Sequence, residues 1–310
     1  MTDTATKESV LKITIIGSGQ VGLTWAQALT GSETCDVSLS DPYPPAAATQ
    51  WAMEVGLSIH PNISEWITSY HLILVCVPGS VLPGVARSLA QHAKPGSIIV
   101  DMTTAAAQAK RDGASLATAA GIEYVDIAIT GAVALSGVRT PLLYGGARLG
   151  VVEELFAAVG APVRVLPDSQ PGDAVTVKLL RSVIMKGLEA LALEALPAAR
   201  AYGVLDQLYA VLSDVDQAPF ADLLNSMVAT HPAHAARRHA EVLEAAAQLD
   251  AVGHPSELTQ RVAEKYASTV ENTRLLGAPS GPTAEASLNW LDRVAKHHSS
   301  QNLTETEVPA

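Results

Sequence analysis

Aromatic side chains are scarce: two Phe, four Trp and seven Tyr in 310 residues, or 4%. A core without them must be aliphatic, built on Ala, Leu and Val. Charge is also sparse at 16%, low for a surface of this size, so some of that surface is expected to lie against another subunit, as in a homodimer. Positive charge is outnumbered, with 20 Lys and Arg against 31 Asp and Glu and a formal charge of −11. Such a chain repels a phosphate backbone, which argues against nucleic acid as a partner. One bound phosphate is still compatible, because backbone N–H groups at a helix end can hold it. The two cysteines, Cys35 and Cys76, have neither metal spacing nor a disulfide framework, which fits a reducing, cytoplasmic compartment. The longest apolar run, Leu72 to Pro78, is far short of the ~20 residues that span a bilayer. Met1 to Ser9 is polar and lacks an apolar h-region, so neither a membrane span nor a secretory signal is expected.

At roughly 100–200 residues per domain, the length suggests two domains. In the first half, short apolar runs alternate with helical stretches: strands at 12–16, 36–39, 71–77, 97–102, 123–129, 142–144 and 163–166, with helices between them. Strands that are apolar throughout and separated by helices indicate a parallel sheet covered on both faces. After Pro171 the strands stop. Residues 173–202 read as one long helix with apolar residues in nearly every direction, expected to be buried, with Pro197 near its end. Further helices are expected at 205–213, 219–229, 233–250, 257–273 and 283–297, with a frayed tail from Ser299. The fold class is therefore an α/β Rossmann domain with a parallel sheet over residues 1–168. An all-α domain over 169–310 follows, joined by a long interdomain helix and expected to serve substrate binding and dimerisation.

Ile13-Thr14-Ile15-Ile16-Gly17-Ser18-Gly19-Gln20-Val21-Gly22 is a G-x-G-x-x-G segment that follows a strand and opens a helix. Gly17 makes the tight turn, Gly19 lets a pyrophosphate approach the backbone, and Gly22 lets helix and strand pack closely. The helix N-terminus, with its orphan N–H groups and positive dipole end, faces the phosphates. Asp41 ends the second strand, nineteen residues after Gly22. An acidic residue there accepts hydrogen bonds from ribose hydroxyls and repels a 2′-phosphate, which favours NAD over NADP. It also suits a cap for the proline-rich turn that follows.

Several landmarks then occur in order: Cys76-Val77-Pro78, Asp101-Met102-Thr103-Thr104, Asp126-Ile127-Ala128-Ile129-Thr130-Gly131-Ala132, Tyr144-Gly145-Gly146, and Gly172 followed after five residues by Lys178. Together they resemble the β-hydroxyacid dehydrogenase superfamily, which includes 3-hydroxyisobutyrate and 6-phosphogluconate dehydrogenases. The resemblance implies that Val77, Pro78 and Thr103 lie beside the cofactor. It further implies that Thr103, Thr130, Gly131 and Ala132 meet the substrate, and that Lys178 is the catalytic lysine. The chain departs from the family at Ala128 and Ala132, which stand for a proline and a glycine, and at Arg181 and Ser182, which stand for an Asn-Asn or His-Asn pair. It also lacks a clear copy of the later Lys-Asp cofactor motif and carries His234-Ala235-Ala236-Arg237-Arg238-His239-Ala240-Glu241 instead. The run from Lys178 to Leu191 resembles a less characterised, phosphogluconate-dehydrogenase-like branch.

Oxidising a hydroxyl needs a hydride acceptor and a base. A free lysine, with a pKa of ~10.4, is too basic for that work at neutral pH. Desolvation and a nearby cation both disfavour its charged form, and Arg181, one turn on, is a candidate for that cation. On a helix Lys178, Ser182, Met185 and Glu189 share a stripe, but Glu189 is about 16 Å along the axis, too far for direct chemistry. Arg181 suits a bidentate contact to a carboxylate or phosphate, or else an ion pair within the protein. Asp101 and Asp126 end strands at the sheet edge where open α/β folds bind ligands, or else cap the next segment. His231, His234 and His239 do not repeat a tetrahedral ligand pattern, so no metal is expected. The expected activity is hydride transfer between NAD(P) and a small hydroxy acid or related alcohol. Imine or keto reduction, or dinucleotide sensing without turnover, are the alternatives.

Overall fold

The computed structural model describes residues 10–32 and 35–305, except for the side chains of residues 214 and 301–305. The polar stretch Met1 to Ser9 lies outside the described residues. The chain forms two compact units, Met1–Val183 and Ile184–Ala310.

In the first unit, the strands and helices alternate as β1 (Leu11–Ile16), α1 (Gln20–Thr30), β2 (Cys35–Ser40), α2 (Ala46–Glu54), β3 (Ile59–His60), β4 (Leu72–Val75), α3 (Leu82–His92), β5 (Ile98–Asp101), α4 (Ala107–Ala119) and β6 (Glu123–Ile129). After a four-residue α5 (Val133–Ser136) come β7 (Leu142–Gly145), α6 (Gly150–Ala158), β8 (Val163–Val165) and the start of α7 (Asp173–Ala201). The eight strands form one sheet in the order β3-β2-β1-β4-β5-β6-β7-β8.

The sheet is mostly parallel, as the alternation implies, but β7 runs antiparallel to β6. A parallel return needs a crossover that travels the length of the sheet, usually a helix. The β6–β7 link has only four-residue α5 and a short 3-10 turn, so the chain doubles back instead. Two-residue β3 is too short to leave a periodic signal in the sequence.

The central strands are buried on both faces, while the edge strands β3 and β8 are only partly covered. Leu72 and Leu74 of β4 enter one aliphatic layer with Ile13, Ile15, Val100 and Ile127. Ile73 and Val75 enter the opposite layer with Ile16, Ile99 and Leu89. The period-2 geometry of a strand forces this division. Trp25 and Phe156 meet edge to face at 5.1 Å on the first face. Thr14, fully buried opposite Ser38, accepts that residue's hydroxyl at 2.9 Å, so neither polar group is orphaned.

The second unit is helical, with the end of α7, then α8 (Leu205–Leu212), α9 (Phe220–Ala251), α10 (Glu257–Leu276) and α11 (Ala284–Glu305). α9 packs against α10 and α11. It is one helix, not the two expected on either side of Pro232. Pro232 and Ala235 are buried, and packing holds the helix through a residue that breaks an isolated one. Of the tail expected to fray from Ser299, residues through Glu305 are helical, and 306–310 lie outside the described residues. The Glu194 carboxylate accepts the Leu258 and Thr259 N–H groups at 2.8 and 3.0 Å and the Thr259 hydroxyl at 2.7 Å, capping α10.

The expectation of a buried α7 is overturned. Leu180 is 61%, Val183 70% and Leu193 72% exposed, and Val177, Leu179, Ile184, Met185 and Leu188 are exposed too. An all-round apolar pattern says that such a helix must be covered, but not that its own chain covers it. α7 continues through Pro197 to Ala201. Among the described residues no helix is long and apolar enough to cross a membrane.

Candidate active site

The strand order reverses between β1 and β4, and the crevice outside their carboxyl ends is the switch point at which open α/β sheets bind ligands. Gly17 leaves β1 with φ +97°, and a Cβ there would lie 2.8 Å from the Cys76 carbonyl oxygen, at the end of β4. A Cβ on Gly22 would lie 1.8 Å from the Gly17 carbonyl oxygen. A Cβ on Gly19 would meet nothing within 4 Å among the described residues. Two of the three glycines are thus required by protein packing, whereas the third opens onto empty space at the N-terminus of α1. No acidic residue occupies the first turn of that helix, and no side chain caps it. This fits a pyrophosphate laid against the backbone.

Asp41 lies beside the loop. One carboxylate oxygen accepts the Ser18 N–H at 2.7 Å and the Ser18 hydroxyl at 2.9 Å, and the other accepts the Tyr43 N–H at 2.9 Å. It therefore ties the glycine loop to the end of β2 and closes the proline-rich turn. It also borders a cleft of about 720 Å³ with Gly17, Gly19, Pro42, Tyr43, Val77 and Pro78. No lysine or arginine lines that cleft among the described residues. A second cleft, of about 660 Å³, shares the Cys76-Val77-Pro78 wall.

The second cleft gathers Gln20, Val21, Thr103, Thr104, Thr130, Gly131, Ala132, Lys178, Arg181 and Ser182, which the sequence scatters over 160 positions. All of them belong to the first unit. Among the described residues its lining carries two cations, Lys178 and Arg181, and no carboxylate, although the chain is strongly acidic overall. Lys178 is half-buried, and its Nζ donates to the Thr104 hydroxyl at 2.8 Å. Burial pushes its basicity below the ordinary lysine range. The ammonium of Lys110 adds to that effect and the carboxylate of Asp126 opposes it. The cation that acts on Lys178 is therefore Lys110, not Arg181 as the helix spacing suggests. Arg181 points to no ion-pair partner among the described residues. Thr130 sends both its N–H and its hydroxyl to the Pro141 carbonyl, each at 2.9 Å, so toward the cleft it can only accept. Thr103 is buried, its N–H held by Asp101 at 2.8 Å.

Asp101 and Asp126 face inward rather than toward ligand. Both are fully buried around Lys110, itself 0% exposed. No residue pattern in the chain announces Lys110, because a lysine on an alanine-rich helix reads as solvent-facing. Thr104 was also missed as a contact of Lys178. In the second unit, Arg237 pairs with Glu241, Arg238 donates to the Thr230 hydroxyl at 2.9 Å, and His231 bonds Thr269 at 2.8 Å. No group of three His, Cys, Asp or Glu suited to a metal occurs among the described residues.

A family profile described as the NAD binding domain of 6-phosphogluconate dehydrogenase matches residues 12–166, half of the chain. The chain belongs to the β-hydroxyacid dehydrogenase superfamily. A further profile, described as a domain of unknown function, matches residues 199–269. An uncharacterized 28.5 kDa protein from Methanothermus fervidus is 25% identical over 76% of this chain and 89% of its own. Among solved structures, the imine reductase from Aspergillus terreus in complex with NADPH4 and dibenz[c,e]azepine is 22% identical, with a TM-score of 0.70 over 90% of this chain and 98% of its own. The 3-hydroxyisobutyrate dehydrogenase of Mycobacterium tuberculosis, solved with L-serine, is 19% identical, with a TM-score of 0.61 over 84% of this chain and 94% of its own. The superfamily's fold therefore extends over nearly the whole chain, and its N-terminal half is an NAD(P)-binding domain.

Proposed function

We propose that this protein is an NAD-preferring dehydrogenase acting on a small hydroxy acid or related alcohol, with Lys178 as general acid/base. The observation that carries the reading is the second cleft: a lysine of lowered basicity and, among the described residues, an arginine three positions on without an ion-pair partner and no carboxylate in the lining. In this reading residues 1–168 hold the dinucleotide and 169–310 serve substrate and dimerisation. Gly17, Ser18, Gly19, Gln20, Val21 and Gly22 cradle the pyrophosphate. Asp41 meets the ribose, and Val77, Pro78 and Thr103 wall the nicotinamide. When bound, the nicotinamide supplies the hydride acceptor or donor. Neutral Lys178 takes the hydroxyl proton during oxidation, and its ammonium returns it during reduction. Arg181 anchors the substrate's carboxylate, with the Gly131 and Ala132 backbone, Thr130 and Ser182 completing the pocket. The preference for NAD rests on Asp41 and on a first cleft without a basic side chain to receive a 2′-phosphate.

A second reading, imine reduction, is favoured by the likeness to the Aspergillus terreus enzyme. The deciding assay is NAD(H) turnover on a panel of hydroxy acids, amino alcohols and imines, with Lys178→Ala alongside. A hydroxy acid turned over by the wild type and lost in the variant supports the first reading. Turnover confined to imines, or a variant as active as wild type, overturns it. Because the basicity of Lys178 is lowered, oxidation should rise with pH through the amine's titration while reduction falls. Parallel pH profiles in the two directions would contradict this assignment. The exposed apolar face of α7 supports a homodimer in which a second copy covers it.

A further inference from the structure

Burying a lysine without exposure is costly unless its charge is paired and hydrogen-bonded. Lys110 meets that condition on α4. Its Nζ lies 2.7 Å from Asp126 Oδ1, 3.2 Å from Asp101 Oδ2 and 3.2 Å from the Asp101 carbonyl oxygen. The outer atoms of the two carboxylates are equally committed. Asp126 Oδ2 accepts the Gly172 and Val175 N–H groups at 2.9 and 3.3 Å, which fixes the first turn of the helix that carries Lys178. Asp101 Oδ1 accepts the Thr103 N–H at 2.8 Å, and its Oδ2 accepts the Tyr124 hydroxyl at 2.5 Å. Thr104, next along, receives Lys178 at 2.8 Å. The two segments that hold the Lys178 amine therefore converge on one ammonium.

We infer that Lys110 is the positioning residue of this site: clamped between Asp101 and Asp126, it sets the start of α7 and the Thr103–Thr104 turn so that they present Lys178, and it places a buried cation behind that amine. The inference rests on the proposed role of Lys178 and adds a residue outside the cleft lining that governs it. In the cleft of Lys178, or tied to the segments that hold it, are Cys76 after β4, Lys110 and Arg111 on α4, Asp101 on β5, Tyr124 and Asp126 on β6, and Asp173 and Arg181 on α7. Arg111 and Asp173 pair with each other at 3.5 Å, and Tyr124 is held protonated by burial and by the adjacent Asp101. Of these groups, Lys110 and Asp126 are the ones whose charges act on the amine, in opposite senses.

The opposition supplies the test. The Lys178 amine is titrated in the ligand-free protein by its 15Nζ resonance, assigned through its loss in Lys178→Arg. Lys110→Met should move the titration to higher pH, Lys110→Arg should keep it near the wild type, and Asp126→Asn should move it to lower pH. A merely structural role would loosen the site in both neutralising variants and move both titrations upward, toward that of a free lysine. That outcome, or an unmoved titration in Lys110→Met, overturns the inference. If Lys110→Met fails to fold, the sign of the Asp126→Asn shift still decides. Retained turnover in Lys178→Ala would remove Lys178 from the chemistry while leaving these titrations interpretable, so the two ideas fail separately.

Discussion

The glycine loop offers a prediction in which neighbouring substitutions of identical chemistry act on different properties. Gly19→Ala adds a methyl group into space free of protein atoms within 4 Å, on a residue with φ −63° that alanine adopts freely. Restricting the unfolded chain gains about 0.4–1 kcal/mol, and the poorer helix cap costs about 0.5–1 kcal/mol, so stability should be nearly unchanged. The methyl group occupies the approach of the pyrophosphate, and NAD+ affinity should fall at least about tenfold, or ~1.4 kcal/mol. Gly22→Ala places its methyl 1.8 Å from the Gly17 carbonyl oxygen and 3.3 Å from Ile15 Cγ2, so β1 and α1 must separate. Overpacking of this kind costs about 1–3 kcal/mol, or about 2–12 °C in Tm for a unit of this size. Thermal melts without ligand and calorimetry with NAD+ and NADH separate the two effects. A Gly19→Ala protein that binds NAD+ like the wild type would refute the placement of the pyrophosphate. A Gly22→Ala protein that melts like the wild type would refute the packing argument.

Removing the carboxylate in Asp41→Ala should lower the NADH-to-NADPH ratio of kcat/KM by about tenfold, since 1.4 kcal/mol of lost repulsion corresponds to that factor; an unchanged ratio would show that Asp41 does not read the ribose. Val183→Glu, on the most exposed stretch of α7, should convert a dimer to a monomer by light scattering, and a wild type already monomeric would remove the reason for an uncovered face. Glu194→Ala should cost about 0.5–2 kcal/mol through loss of the α10 cap, read as faster hydrogen exchange in the first turn of that helix. Burial raises the Glu194 carboxyl, but the Thr259 hydroxyl and the Leu258 and Thr259 N–H groups outweigh it and hold the group below the usual carboxylate range. Its contribution is therefore complete above the unfolded carboxylate pKa and fades as pH falls through the folded value. The gap between wild type and variant should close in acid, and a gap that widened there would contradict the cap.

Local signals carried much of the fold. α1 (Gln20–Thr30) and β6 (Glu123–Ile129) occupy the residues that their periodicity indicates, because a glycine fingerprint bounds the first and an uninterrupted β-rich run defines the second. The reversal of β7 left no such mark, since strand direction depends on whether the connecting chain can cross the sheet. Pro232 pointed to a break, yet α9 passes through it because its neighbours bury that turn. Part of the site was legible too, since Gly17–Gly22, Val77, Pro78, Thr103 and Thr130–Ala132 follow strand ends and Lys178 and Ser182 share a stripe of α7, whereas Thr104 and the Pro61, Ile63, Val81 and Ser88 walls of the first cleft carried no such signal.

Periodicity was readable along the chain: central strands buried on both faces, a glycine turn before α1, and a lysine one turn and a half into a long helix. These are local properties, set by side-chain alternation, backbone sterics and spacing along one element. Charge environment was decided only by tertiary structure. Lys110 and Lys178 are 68 positions apart, and Arg181, only three positions from Lys178, looked like the better neighbour. The sheet brings Asp101 and Asp126 side by side, β5 against β6, and a lysine from α4 fits between them. An electrostatic field depends on distance and burial in space, neither of which a linear pattern records.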